Sequence, residues 1–117
     1  MCILSGGEPI VELCDTPGKG GRNQEVVLAA MDRLGDDTDR ILVLSGGSDG
    51  EDGPTDATGG WMTSETVALA REQGLVANDF LNRNDAYSFL EATKSRLMSR
   101  PTDTNVMDIR VVLIGEH

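Results

Sequence analysis

The sequence has few of the residues that build several common kinds of site. Aromatic residues make up 3% of the 117 residues, and the single histidine, His117, is the last residue printed. A terminal position is a poor place for a catalytic base, so a Ser-His-Asp or Cys-His mechanism is disfavoured, as is a Cys/His zinc site. Apolar runs are short, and none approaches the roughly 20 residues that a membrane-spanning helix needs.

Basic residues are scarce as well. Ten Lys and Arg stand against twenty Asp and Glu, which gives a net charge of −10, and the lysines are Lys19 and Lys94 alone. Because binding to nucleic acid requires clustered cations to neutralise phosphates, this balance argues against a nucleic-acid partner.

The two cysteines do not form a disulfide framework. Cys2 and Cys14 flank a predicted hairpin that turns at Gly6-Gly7, where Cys2 would face Val11. Cys14 is then about three residues, or roughly 10 Å, out of line. The sequence therefore predicts reduced thiols in a cytoplasmic protein.

What is present is the composition of one globular domain spanning residues 1–117. Hydrophobic residues make up 38% of the sequence, and glycine supplies a further 14 residues. The pattern predicts strands at residues 2–4 and 9–13, which form the hairpin, at 41–44 and at 109–114, and helices at 23–34, from Thr63-Ser64 through Gln73, at 77–81 and at 86–98. Residues 45–60 are predicted to be a loop. The order ββ-α-β-α-α-β favours a layered α/β domain with a mixed sheet flanked by helices.

Residues 18–25 read Gly-Lys-Gly-Gly-Arg-Asn-Gln-Glu and precede the first predicted helix. Glycines let backbone N–H groups approach a ligand, and a helix N-terminus carries unsatisfied donors and partial positive charge. Lys19 and Arg22 add full charges, so the motif is typical of a carboxylate or phosphate site. An exposed arginine there opposes the helix dipole and is expected to contribute little to folding. The alternative is a glycine loop before an exposed helix start.

A second motif, residues 47–56, follows a predicted buried strand and contains Asp49 and Asp52. Carboxylates beyond the end of a strand are suited to Mg²⁺, which prefers oxygen ligands. The spacing excludes an EF-hand, because the twelfth position counted from Asp49 is Gly60 rather than glutamate. A turn without a ligand remains the alternative, since Asp-Gly pairs favour turns.

Three further motifs, taken singly, favour ordinary local structure. Residues 5–8 read as a hairpin turn, residues 84–87 as a helix cap, and residues 102–105 as a loop. Taken together and in this order, the five motifs resemble the MOFRL domain, the C-terminal domain of class II glycerate 2-kinases, some of which are labelled hydroxypyruvate reductases.

The resemblance implies a particular activity and a particular set of partners. The complete enzyme has a larger N-terminal Rossmann-like domain, in cis or in trans, and an active site in the cleft between the two domains. It uses ATP and Mg²⁺ to phosphorylate the 2-hydroxyl of D-glycerate, with ADP as the second product. A homo-oligomer is left open, and the isolated chain is expected to be inactive.

The resemblance also implies roles for individual residues. Arg22 and Asp49 would be catalytic, with Arg22 binding the substrate carboxylate or the transferring phosphate, and Asp49 and Asp52 would lie near Mg²⁺. The residues implied in substrate or phosphate binding are Ser5, Gly6, Gly7, Glu8, Lys19, Gly20, Gly21, Asn23 and Asn105.

The chain departs from the family at Arg100 and Asp103, where the family tends to have glycine. A carboxylate at Asp103 would repel an anion bound nearby. Independently of these departures, two other functions remain open: a hydroxypyruvate reductase, for which no strand followed by G-x-G-x-x-G is present, and a non-catalytic ligand-binding or assembly remnant of the domain.

Overall fold

The computed structural model describes residues 1–7, 13–14, 16–99 and 108–115. Within them the elements are β1 (Cys2–Gly7), α1 (Arg22–Leu34), β2 (Ile41–Gly47), β3 (Gly59–Met62), α2 (Ser64–Glu72), α3 (Ala77–Asn82), α4 (Ala86–Ala92), β4 (Arg96–Leu97) and β5 (Asp108–Ile114). No helix of these described ranges is long and apolar enough to cross a membrane.

The strands form one sheet in the order β1-β5-β2-β3-β4. All four pairings of the described strands are antiparallel. The predicted layered α/β class is confirmed, whereas the parallel pairings that a mixed sheet would contain do not occur among these strands. The core joins Val43 and Met62 of the sheet to Val27 and Leu28 of α1 and to Phe89 of α4.

The predicted hairpin at Gly6-Gly7 is wrong. Both glycines lie inside β1, which continues to Gly7 and pairs with β5, so Cys2 faces Leu113 rather than Val11. Glycine pairs usually signal a turn, but here the long-range pairing with β5 overrides that preference. Of the second predicted hairpin strand, residues 9–12 lie outside the described residues, and Leu13 belongs to no strand.

Two strands lie where the sequence predicts other structure. β3 falls at the end of the predicted loop, and its glycines Gly59 and Gly60 pair with Gly46 and Ser45 of β2. β4 occupies the end of the predicted helix 86–98, because α4 stops at Ala92. Lys94 adopts a positive φ of 57°, and the N–H of Ser95 donates to the carbonyl of Leu90 at 2.8 Å, which closes the helix.

The start of α1 is held by a carboxylate from a distant part of the chain. The N–H groups of Asn23 and Gln24 donate to Asp52 at 2.9 Å each, and the side-chain amide of Asn23 donates to the same carboxylate at 3.1 Å. The N-cap residue, Gly21, supplies no side-chain cap. Asp52 therefore does the work of an N-cap from outside the helix and complements its dipole.

Glycine is required where these two segments meet. A Cβ atom built on Gly21 would lie 2.5 Å from the carboxyl carbon of Asp52, and one built on Gly53 would lie 2.4 Å from the carbonyl oxygen of Gly20. Gly53 also has a φ of +62°, which disfavours any other residue.

Replacing Asp52 with alanine should destabilise the fold. It leaves buried donors of α1 without an acceptor, and we expect a loss of roughly 2–4 kcal/mol in the free energy of unfolding, measured by urea titration. The control is Glu51→Ala, an exposed neighbour in the same loop, which should change the free energy by less than about 0.5 kcal/mol. Equal stability of the two variants would contradict the capping role.

Candidate functional site

Three strands end beside the start of α1. Gly7 of β1 and Gly47 of β2 both pair with Asp108 at the start of β5, so the three positions lie in one row across the sheet. Asp108 then contacts Arg22, the first residue of α1, through a paired interaction. Arg22 Nη2 donates to Asp108 Oδ1 at 2.9 Å, and Arg22 Nε donates to Oδ2.

The two partners differ in exposure. The side chain of Asp108 is 1% exposed, whereas that of Arg22 is 40% exposed. Burial by itself opposes ionisation of Asp108, but the hydrogen bonds from Arg22 and Asn23 outweigh it, and the pKa of Asp108 lies below its usual value of 3.8. An ionised, buried carboxylate therefore orients the arginine. The expectation that Arg22 contributes little to folding stays a prediction.

A second cation lies next to this pair. Arg110 adds to the electrostatic stabilisation of ionised Asp108 and donates from Nε to Ser5 Oγ at 3.2 Å. Gly7 has a φ of +139°, and a Cβ atom built on it would lie 3.3 Å from an Arg110 nitrogen. Ser5 and Gly7 of the first motif thus border a site with two arginines, while Gly6 pairs with Ile109 on the opposite face of the sheet.

Asn23 lies behind the site rather than at its surface. It is completely buried. Its side chain accepts from Ser45 Oγ at 2.7 Å and donates to Asp52. These contacts connect α1 to β2 and to the loop that follows it, so Asn23 fixes the helix start against the sheet.

A pocket of about 340 Å³ opens beside the start of α1. Its lining includes Gly20, Gly21, Arg22, Glu25, Gly53 and Asn84. Burial raises the pKa of Glu25 above its usual value of 4.5, against the opposing hydrogen bond that Asn84 Nδ2 donates at 2.7 Å, and nearby Asp52 raises it further. The pocket thus combines an arginine with a carboxyl group that is more easily protonated than usual.

Lys19 and Arg22 contact different groups, although the sequence predicts one shared anion site. The Lys19 ammonium lies 4.0 Å from the centre of the Tyr87 ring on α4. Its backbone N–H donates to Asp85 at 3.0 Å, and its carbonyl accepts from the N–H of Tyr87 at 2.9 Å. Lys19 therefore fastens the glycine loop to α4.

The Tyr87 hydroxyl continues this network. It donates to Asp56 Oδ1 and accepts from Arg96 Nη1, both at 2.7 Å. The hydrogen bond from Tyr87 lowers the pKa of Asp56 below its usual value of 3.8, and Lys19 and Arg96 contribute further.

The two carboxylates predicted to lie near Mg²⁺ have different surroundings. Asp52 is 1% exposed, and its oxygens accept from Asn23 and Gln24 as described above. Asp49 is half-buried and accepts from the N–H of Glu51 in its own loop at 3.0 Å. Among the residues that the structure describes, no three His, Cys, Asp or Glu are grouped to hold a metal ion. Asp52 does not fit a metal ligand, and Asp49 alone does not make a site.

Four described members of the predicted site meet on one rim of the fold: Ser5, Gly7, Arg22 and Asp49. Gly7 forms a row with Asp108 and Gly47, Arg22 contacts Asp108, and Asp49 Oδ1 lies 2.9 Å from a Cβ atom built on Gly47. Gly20 and Gly21 form the pocket wall. Glu8 and Asn105 lie outside the described residues, as do Arg100 and Asp103.

Sequence reasoning missed Asp108 and Arg110. The sequence did contain a signal for them. They are the charged residues of an otherwise apolar strand, and because they are two positions apart their side chains share one face. Tyr87 and Arg96 carried no comparable signal, since their partnership depends on how α4 ends.

Comparison with known proteins gives the family. The sequence profile of the MOFRL family matches residues 1–108. Human glycerate kinase is 41% identical over an alignment 124 residues long, gaps included, which covers 97% of this chain and 23% of the human protein. A protein of Agrobacterium vitis, provisionally named a hydroxypyruvate reductase, is 42% identical over 114 residues, covering 97% of this chain and 29% of that protein.

Two solved structures are also similar to this chain. The crystal structure of a glycerate kinase from Thermotoga maritima superposes with a TM-score of 0.89 at 36% identity, covering 97% of this chain and 27% of the other. A protein from Pyrococcus horikoshii OT3 superposes with a TM-score of 0.92 at 34% identity, covering 99% of this chain and 26% of the other. The chain thus spans about a quarter of the length of these proteins, and it belongs to the MOFRL family.

Proposed function

We propose that this chain supplies one wall of a glycerate kinase active site, at which ATP phosphorylates the 2-hydroxyl of D-glycerate. The proposal is supported by relatives named glycerate kinase at 41% identity, since they match nearly the whole of this chain. The remaining wall would come from the rest of the enzyme, an N-terminal Rossmann-like domain. The exposed thiols of Cys2 and Cys14 accord with a cytoplasmic protein.

The observation that carries the proposal is the placement of Arg22. Its guanidinium is oriented by the buried Asp108 and still has 40% of its side chain exposed beside the pocket. Phosphoryl transfer depends on positioning and on neutralising charge rather than on covalent help from the protein. An arginine held in one orientation meets both requirements for a phosphoryl group or a substrate carboxylate.

The other predicted residues take different parts in this proposal. Arg110 and Ser5 would extend the anion-binding surface, and Lys19 would position the glycine loop through α4. Asp49, together with groups from the rest of the enzyme, would hold Mg²⁺, which would supply positive charge to neutralise phosphate oxygens, whereas Asp52 is assigned to the helix cap because its oxygens are engaged there.

The isolated 117-residue chain should fold but should not release ADP from ATP, Mg²⁺ and D-glycerate, because one wall of a cleft cannot position donor and acceptor together. Activity should appear in a hybrid in which this chain replaces the matching region of the Thermotoga maritima glycerate kinase. A coupled ADP assay on both proteins tests this. Turnover by the isolated chain would overturn the two-wall arrangement, and NADPH oxidation with hydroxypyruvate but no ADP release would favour the reductase.

In this hybrid kinase, Arg22→Ala should lower kcat/KM by about 10²–10³-fold, the scale of a lost transition-state donor. The same change leaves the buried carboxylate of Asp108 without its arginine partner and should reduce the free energy of unfolding by about 2 kcal/mol. The double variant Arg22→Ala/Asp108→Ala should recover most of that stability but none of the activity. Arg22→Lys should recover activity only in part. Near wild-type kcat/KM for Arg22→Ala would contradict the catalytic role.

The ion pair should also make stability depend on pH. Because the pKa of Asp108 is lower in the folded chain than its usual 3.8, the ionised carboxylate stabilises the fold above that pH. This stabilisation is lost as the pH falls through the lowered pKa. Urea unfolding at pH values between 7 and 2 should therefore show a smaller acid loss for Asp108→Asn than for the parent chain. Parallel profiles for the two proteins would exclude this linkage.

A further inference from the structure

The strand register divides the sheet into two faces that differ in what covers them. Residues paired across antiparallel strands point to the same face, and successive residues alternate. The face that includes Val43, Met62 and Val112 packs against the helices. The opposite face carries the row Leu4, Val111, Leu44 and Trp61, with Leu113 and Leu42 in the next row. Together with Ile109, which lies two residues before Val111 and so on the same side of the sheet, these six side chains define what we term the open sheet face.

The open sheet face is apolar and lacks helices among the described residues. Leu4 is 70% exposed and Leu113 is 41% exposed. Ile109, on the same face, is 47% exposed. Every paired position on this face is apolar, glycine or cysteine, in a chain of which 26% is charged.

An antiparallel sheet that faces water on one side normally alternates apolar and polar residues. In β2 and β5 this alternation is absent from Ile41 to Leu44 and from Val111 to Ile114. Strands apolar on both faces are typical of a sheet buried on both sides. The sequence of these strands is therefore that of a middle layer, although the described structure supplies only one covering layer.

We propose that the open sheet face is covered by an apolar helical layer from the remaining polypeptide of a glycerate kinase, an inference that rests on the proposed function. The relatives are about four times as long as the region they share with this chain, so covering polypeptide is available. Helices on both faces of a sheet are a stable layered arrangement. A second copy of this chain is the less favourable occupant, because each copy carries a net charge of −10.

Thiol labelling tests the proposal without depending on catalysis. In a chain with Cys2→Ser and Cys14→Ser, a single cysteine is introduced by Ile109→Cys on the open sheet face. The matched control is Val76→Cys at the start of α3, because Val76 is 54% exposed and Ile109 is 47% exposed. Maleimide labelling rates are measured in the isolated chain and in the hybrid kinase.

We expect position 109 to label about tenfold or more slowly in the hybrid than in the isolated chain, while position 76 labels at similar rates in both. Equal labelling of position 109 in the two proteins would overturn the proposal. Protection that is already present in the isolated chain, rises with its concentration and accompanies a dimer in sedimentation would assign the face to a second copy and overturn it as well. If the hybrid does not fold, the aligned positions of the intact Thermotoga maritima enzyme receive the same cysteines.

A stability comparison provides a second readout. Leu113→Asp should shift the Tm of the isolated chain by no more than about 2 °C, since the side chain is already partly in water, but should lower that of the hybrid by about 5 °C or more. Val76→Asp, at the uncapped N-terminus of α3, should shift the Tm of both proteins in the same direction and by similar amounts. Labelling protection in a hybrid that lacks kinase activity would support the covering layer and count against the proposed function. An active hybrid in which position 109 is unprotected would support the proposed function and overturn the covering layer.

Discussion

The carboxylate of Asp52 at the start of α1 is the contact on which the surrounding structure depends. It joins the loop after β2 to the first turn of the helix, and it does so without exposure to solvent. The close approach requires glycine at position 21. Because α1 begins at Arg22, the same contact sets where that arginine leaves the helix and therefore which strand end it can reach. An anion does sit at this helix N-terminus, and it is supplied by the chain itself.

Local signals predicted the helices better than the strands. The capping signal at Thr63 and the stop at Gly74 operate as expected: Thr63 and Thr66 form a capping box, and Gly74 has a φ of +71°. The interior of β1 could not be predicted in this way, because Gly6 and Gly7 take their conformation from pairing with residues about one hundred positions away. β3 depends similarly on β2, and the early end of α4 depends on Lys94 adopting a left-handed conformation that lysine rarely favours.

The residues of the candidate site also divide into those that local sequence predicts and those that depend on distant parts of the chain. Its glycine and carboxylate motifs could be found from the sequence because each is contiguous. The partners of Arg22 and Lys19 could not, since Asp108 and Tyr87 come from separate elements and meet these cations only after the sheet and α4 are in place. Several of the few cations in this acidic chain contact a specific acid or aromatic ring, namely Lys19, Arg22, Arg71, Arg83 and Arg96. Charge is thus used here for orientation, with the net potential of the surface remaining negative.

The two-sided apolar character of β5 has a consequence for strand register. A slip of one residue would exchange its faces, and for Val111 to Ile114 the exchanged side chains would still be apolar on both sides. Hydrophobicity therefore discriminates poorly between the correct alignment and its neighbour. Asp108 and Arg110 do discriminate, because a slip would separate them from Arg22 and Ser5 and turn two charges toward the apolar face. The ion pair that orients Arg22 thus also specifies the alignment of the strand that joins β1 to β2.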